Sequence, residues 1–256
     1  MSKKIETPSG LTLFYLGPDI AHGKLPALLY FSLSGEESLE LEPFCHPPKK
    51  LEVEPIRTFS VTLPGHEEGL NKFHAMKFWA DSIRDGKYLL EELITKLDES
   101  LNWLISEEII DPRHVAVAGL SRGGLIAGLL AAKNNYIKTL VCFAPVVELS
   151  VLEDFSDFRD NKRLNDRASR LSLVGAVEKL THLEHLRFYM ATRDEKVNTD
   201  SCYHFIREMA EKVHEKRARH CHVELYLTTP IGQKGHGTAP HIFDEGTELI
   251  KRQLLR

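Results

Sequence analysis

Four cysteines in 256 residues are too few, and too scattered, to frame a disulfide-stapled fold. Cys45, Cys142, Cys202 and Cys221 show no paired spacing, and the last three fall in strand-like or helix-like segments. They are expected as thiols in a reducing, cytoplasmic setting. Long apolar runs are also missing. The longest, Leu125 to Ala132, is far short of the roughly 20 residues a bilayer-crossing helix needs, so no membrane span is expected. The opening "MSKKIETPSG" has two lysines but no apolar segment behind them, unlike a secretory signal. A formal net charge of −4 with dispersed Lys and Arg gives no cationic footprint for nucleic acid or an anionic membrane. The mixed-sign stretch "EKVHEKRAR" reads as the solvated face of a helix. No glycine-rich loop of the G-x-x-x-x-G-K type and no dinucleotide fingerprint occurs, so no nucleotide cofactor is expected. His220 and His222 flank Cys221, and His182 lies three residues before His185, but neither group has an identifiable third ligand. No metal is expected. Internal repeats and low-complexity linkers are absent too.

What is present is enough apolar residue, 42%, to build a substantial core in a single domain, residues 1–256. Strand-like and helix-like segments alternate. "KIETP" and "LTLFYLG" form an opening hairpin, and "PALLYFSL" and "PIRTFSVTL" are short apolar strands. Leu90, Leu93, Leu97, Leu101 and Leu104 give one apolar stripe on a helix over about residues 87–108. Then come strand "HVAVAG", helix 122–133, strand "IKTLVCFAP" and a polar, charged stretch to about Asn165. Strand "LRFYMAT", a helix over about 201–216, strand "HVELYLTT" and a closing helix follow. This order predicts a mostly parallel sheet with helices on both faces. Residues 148–180 are a candidate small cap over one end of it.

The most informative stretch is "VAVAGLSRGGLIAGLLAAK", residues 115–133, where a β-branched run turns straight into a small-residue helix. Ser121 sits at the bend with Gly119 and Gly123 two residues to either side. A serine there is pushed above the sheet edge in a strained conformation, and the glycines let the flanking chain approach. The helix start turns its free N–H groups and positive dipole end toward the same point. This is a G-x-S-x-G nucleophile elbow in its strand–turn–helix setting. The bland alternative is a glycine-rich turn whose serine only caps the helix.

"DPRHVAVAGLSRGG" resembles the α/β-hydrolase family's run through its fifth core strand into the elbow. The resemblance implies an eight-stranded, mostly parallel sheet and a Ser–acid–His order, each residue on a loop beyond a strand. After "LRFYMAT" comes Arg193-Asp194-Glu195-Lys196-Val197, similar to the family's acid turn, and after "VELYLTTPIGQ" comes Lys234-Gly235-His236-Gly237, similar to its histidine loop. Asp194 is preferred over Glu195 by its spacing to Val197, and His236 over His241 by its flanking glycines. Ser121, Asp194 and His236 are thus the implied catalytic residues, as nucleophile, orienting acid and general base. The Arg122 backbone N–H is one implied oxyanion donor. The second would come from the loop after "PALLYF", where the family's His-Gly is replaced by Ser32-Leu33-Ser34-Gly35, leaving the Leu33 amide as the candidate. "LPGHEEG" (63–69) reads as structure or pocket rim, and Phe73, Phe78 and Trp79 as core or pocket wall.

The "SRGG" elbow and lack of a large cap insertion are similar to the prolyl-oligopeptidase and dienelactone-hydrolase-like branch. The expectation is a serine hydrolase cleaving an ester-like bond of a small acyl substrate, preferably with a short acyl chain. A peptidase, thioesterase or lipase would use the same three residues. The alternative from a different class is a hydrolase-shaped binding or interaction module with little turnover. Oligomeric state is left open.

Overall fold

The computed structural model describes all 256 residues. Strands β1 (Lys3–Glu6), β2 (Thr12–Leu16), β3 (Leu25–Phe31), β4 (Arg57–Ser60), β5 (Ile110–Leu120), β6 (Ile137–Phe143), β7 (His185–Ala191) and β8 (His222–Thr228) form one sheet in the order β1-β2-β4-β3-β5-β6-β7-β8. β2 runs antiparallel to both its neighbours, and every pairing from β4 onward is parallel. The fold is α/β-hydrolase, with a mixed, mostly parallel sheet.

The helices are α1 (Gly35–Glu40), α2 (His46–Leu51), α3 (Ala75–Arg84), α4 (Leu89–Ser106), α5 (Arg122–Lys133), α6 (Lys162–Arg170), α7 (Val177–Leu180), α8 (Thr199–Glu215) and α9 (Pro240–Leu254). Strand periodicity divides the core between the two faces. Ala27, Leu29 and Phe31 of β3 join the larger cluster with α4, α5 and α8, whereas Leu28 and Tyr30 join the smaller one with α2 and α9. Leu90, Leu93, Leu97, Leu101 and Leu104 are all buried, so the periodic stripe is the inner face of α4.

The sequence pattern predicts no helix at α1, α2 or α3, and none in the polar, charged stretch from Glu148 to about Asn165. The structure has helix in all of these. Residues 149–180 are almost wholly helical, with 3-10 turns at Leu149–Val151, Glu153–Asp160 and Leu173–Gly175 around α6 and α7. Phe155 and Phe158 are fully buried there, and Arg84 anchors the outer side through Asp157. Because the strands from β4 to β8 are parallel, their carboxyl ends lie along one sheet edge, where α/β folds build their sites.

Candidate active site

Ser121 lies between β5 and α5 with φ 55° and ψ −119°, a conformation L-residues rarely adopt. Its backbone is held there from outside the turn: its N–H donates to the Phe143 carbonyl at 2.9 Å, and its carbonyl accepts from Val146 at 3.1 Å. Strain of about 1–3 kcal/mol persists only when it is over-determined in this way. Both elbow glycines are required by close approach. A Cβ on Gly119 would meet the Gly123 carbonyl, and one on Gly123 would meet the Phe31 carbonyl of β3. Arg122 is the first residue of α5, so its N–H is among the donors without an intrahelical acceptor.

The turn after β7 carries Asp194. Thr199 at the start of α8 ties it down, donating to Ala191 O and accepting from Asp194 N, both at 2.8 Å. Asp194 Oδ1 accepts from the amides of Lys196 (2.9 Å) and Val197 (3.1 Å), leaving Oδ2 for the loop beyond β8. There His236 Nδ1 lies 2.7 Å from Asp194 Oδ2, and His236 Nε2 lies 2.9 Å from Ser121 Oγ. With Nδ1–H donating to the carboxylate, Nε2 is free to accept from the hydroxyl. The Asp194 side chain is 0% exposed and that of His236 12%. Burial works against the Asp194 charge. The His236 ring and the two amides outweigh it and hold the carboxyl below its ordinary value.

Ser121 and Asp194, 115 and 42 residues before His236, therefore meet it in one chain of hydrogen bonds. Glu195 is exposed and paired with Arg193, and His241 is exposed on the first turn of α9. Neither joins that chain.

The family model of the prolyl oligopeptidase family matches residues 90–238. The chain belongs to that family. Among solved structures, the Pyrococcus horikoshii acylaminoacyl peptidase is similar over 99% of this chain and 41% of its own, at 16% identity and a TM-score of 0.67. The Porphyromonas gingivalis dipeptidyl peptidase 4 is similar over 99% of this chain and 35% of its own, at 15% identity and a TM-score of 0.63. Est1E from Butyrivibrio proteoclasticus is similar over 100% of this chain and 99% of its own, at 15% identity and a TM-score of 0.64. At these identities the likeness shows a shared fold alone. The chain spans well under half the length of the two peptidases. No curated protein matches it.

The loop after β3 is built differently from the elbow it faces. The amides of Ser32 and Leu33 both donate to the Ser38 hydroxyl, at 3.2 and 2.9 Å. Leu33 N–H therefore reaches an oxyanion only by sharing or leaving that bond. Ser34 caps α1 in a reciprocal arrangement with Glu37, a box whose Ser-x-x-Glu signal stands in "SGEE". Two cavities share Ser121, Arg122, Lys196 and Gln233 as walls: one of about 280 Å³ toward Leu152 and Asp154, the other of about 590 Å³ toward Phe44 and Phe243. Phe73, 86% exposed, lines the larger one, whereas Trp79 is fully buried with its Nε1 donating to Pro64 O at 2.7 Å. His66 of "LPGHEEG" is buried, and its Nε2 lies 3.1 Å from Arg122 Nη1. No local sequence pattern joins these two positions, which lie 56 residues apart. No helix is long and apolar enough to cross a membrane.

Proposed function

We propose that the protein cleaves an ester-like acyl bond of a small molecule through an acyl-enzyme on Ser121. The observation that carries this reading is the continuous path Ser121 Oγ–His236–Asp194 at 2.9 and 2.7 Å. Ser121 Oγ attacks the acyl carbonyl as His236 Nε2 takes its proton. Asp194 keeps the proton-bearing Nδ1 turned toward itself and stabilises the imidazolium. The tetrahedral oxyanion draws on the Arg122 N–H, with the Leu33 N–H as the second donor once it turns from Ser38. Collapse expels the alcohol, which takes the proton from His236. Water then repeats the sequence and releases the acid.

The modest cavities on either side of Ser121 support a small substrate, and the smaller one supports a short acyl chain. Residues 1–256 are read as a single domain, with 148–180 a small cap whose Val151, Leu152, Glu153 and Asp154 line the smaller cavity. The four cysteines, buried and unpaired, support a cytoplasmic setting.

The engaged Leu33 amide favours the second reading, a hydrolase-shaped binding module with little turnover. A fluorophosphonate probe separates the two. Labelling at Ser121, lost in Ser121→Ala, is the expected result, with hydrolysis of p-nitrophenyl acetate and butyrate faster than laurate and falling about 10⁴-fold or more in the variant. Folded protein that takes no label supports the binding reading.

A further inference from the structure

The cations around Ser121 fall into two groups. Lys72, Lys234 and Arg193 are each matched to a carboxylate, Glu37 at 3.0 Å, Glu153 at 3.4 Å and Glu195 at 2.6 Å. Arg122 and Lys196, which line both cavities, have no carboxylate within 4.0 Å.

Arg122 is also held in an unusual way. Its Nη1 donates to His66 Nε2 at 3.1 Å and to the Lys72 carbonyl at 3.4 Å, so both anchors are uncharged acceptors. Burial, aided by the Arg122 charge, pushes the His66 imidazole down to about 4, so it stays neutral at pH 7. Accepting at Nε2 leaves the proton on Nδ1, which has no protein partner in its buried position. An Asp or Glu in place of His66 would hold the guanidinium more firmly and cancel its charge. Here the charge is kept. Burial lowers Arg122 to about 10, which still leaves it protonated, and the Nε and Nη2 side of its planar fork makes no bond to the protein.

The larger cavity has the complementary composition. Lys72, Arg122 and Lys196 line it together with Phe44, Phe73 and Phe243, and no Asp or Glu does. The smaller cavity sets Asp154, Glu153 and Glu195 against Arg122, Lys196 and Lys234, and the Asp154 charge acts on Arg122 from that side. An anion is thus favoured in the larger cavity, where no carboxylate competes for Arg122 and Lys196, over the smaller one, where three do.

We propose that Arg122, positioned by His66 and assisted by Lys196, binds a carboxylate carried by the substrate, so that the protein selects esters with an anionic arm in the larger cavity. This rests on the reading of Ser121 as the nucleophile.

The test measures ratios of kcat/KM. Carboxylate on the acyl arm is probed with p-nitrophenyl hydrogen adipate against p-nitrophenyl hexanoate, and on the alcohol arm with 3-carboxyphenyl acetate against phenyl acetate. In one arm the charged ester is expected to be preferred by about tenfold or more, through a lower KM. Arg122→Met should remove that preference and Arg122→Lys should keep part of it. Because the Arg122 amide belongs to the proposed oxyanion site, only the charged-to-neutral ratio is read in these variants, not the absolute rate. His66→Leu should lower the ratio by raising KM for the charged ester, whereas His66→Gln, which keeps an acceptor, should largely retain it. A ratio near one in both arms of the unaltered protein, or a preference that survives Arg122→Met, overturns the proposal. In either case turnover of the neutral esters leaves the Ser121 reading intact. Absence of both labelling and turnover removes that reading and this one together.

Discussion

Two strand-to-helix turns face each other across the candidate site, and they dispose of their amides in opposite ways. At the β5–α5 elbow, the chain from Gly119 to Gly123 is so close to its neighbours that neither glycine has room for a Cβ. Phe143 and Val146 pin the Ser121 backbone, and the Arg122 N–H is left at the helix start. In the loop from β3 to α1, Ser38 accepts from two successive amides, and the Ser34–Glu37 box satisfies the helix start. One turn is held by parts outside itself and leaves a donor available. The other uses its donors, three on side chains of α1 and the fourth, Gly35 N–H, on Thr62 Oγ1. A turn can offer its backbone to a ligand only when something else provides its rigidity.

The sharpest way to break this contrast is Gly123→Ala. Its methyl would be driven into the Phe31 carbonyl, which belongs to the central strand β3 and has nowhere to go. A loss of about 3 kcal/mol in chemical denaturation is expected, with Ser121 labelling lost even in the fraction that folds. A near-neutral effect would show that the elbow is not held by close approach.

His66 props the Arg122 side chain from beside the elbow, and its response to pH is next in size. Folded, it titrates near 4, against about 6.5 when unfolded. The unfolded chain therefore takes up the proton first. Stability from neutral burial is full above about pH 6.5 and falls as pH drops toward 4. Between pH 7 and 5 this amounts to about 2 kcal/mol at 1.36 kcal/mol per unit. Denaturation midpoints of the unaltered protein should show this extra acid sensitivity relative to His66→Gln. Parallel pH curves for the two would refute the assignment.

The smallest effect sharpens the comparison from the other side. Ser38→Ala releases the Leu33 amide at a cost of about 1 kcal/mol in stability. If Leu33 is the second oxyanion donor, kcat should rise a few-fold as the competitor disappears. A fall in kcat would mean that Ser38 positions the loop and does not compete with the substrate.

Much of this architecture was legible in the sequence because it rests on short-range pattern. Alternation and continuous apolar runs located the eight strands, and the leucine stripe located α4. The sharp turn at Ser121 could be read from two glycines, since the need for them is local. The residues that were not legible depend on distant neighbours. α1 and α2 have six residues each, and α2 contains two prolines, so neither is long enough to repeat a helical period of 3.6 residues. The 3-10 turns near Phe155 and Phe158 owe their order to burial against the larger core and not to local propensity. The Arg122–His66 contact and the double use of Ser38 are side-chain geometry, which no spacing rule encodes.

The loops bearing the acid and the histidine are joined directly: Glu195 N–H donates to Lys234 O at 2.9 Å, and Gly235, at φ 75°, packs on the Arg193 carbonyl. Carboxylate and imidazole are thereby tied through backbone as well as through their own hydrogen bond, whereas the serine belongs to the β5–α5 elbow. Among the reacting groups the two parts meet in a single contact, hydroxyl to ring nitrogen, so a perturbation that shifts one part against the other acts on the chemistry through that one separation.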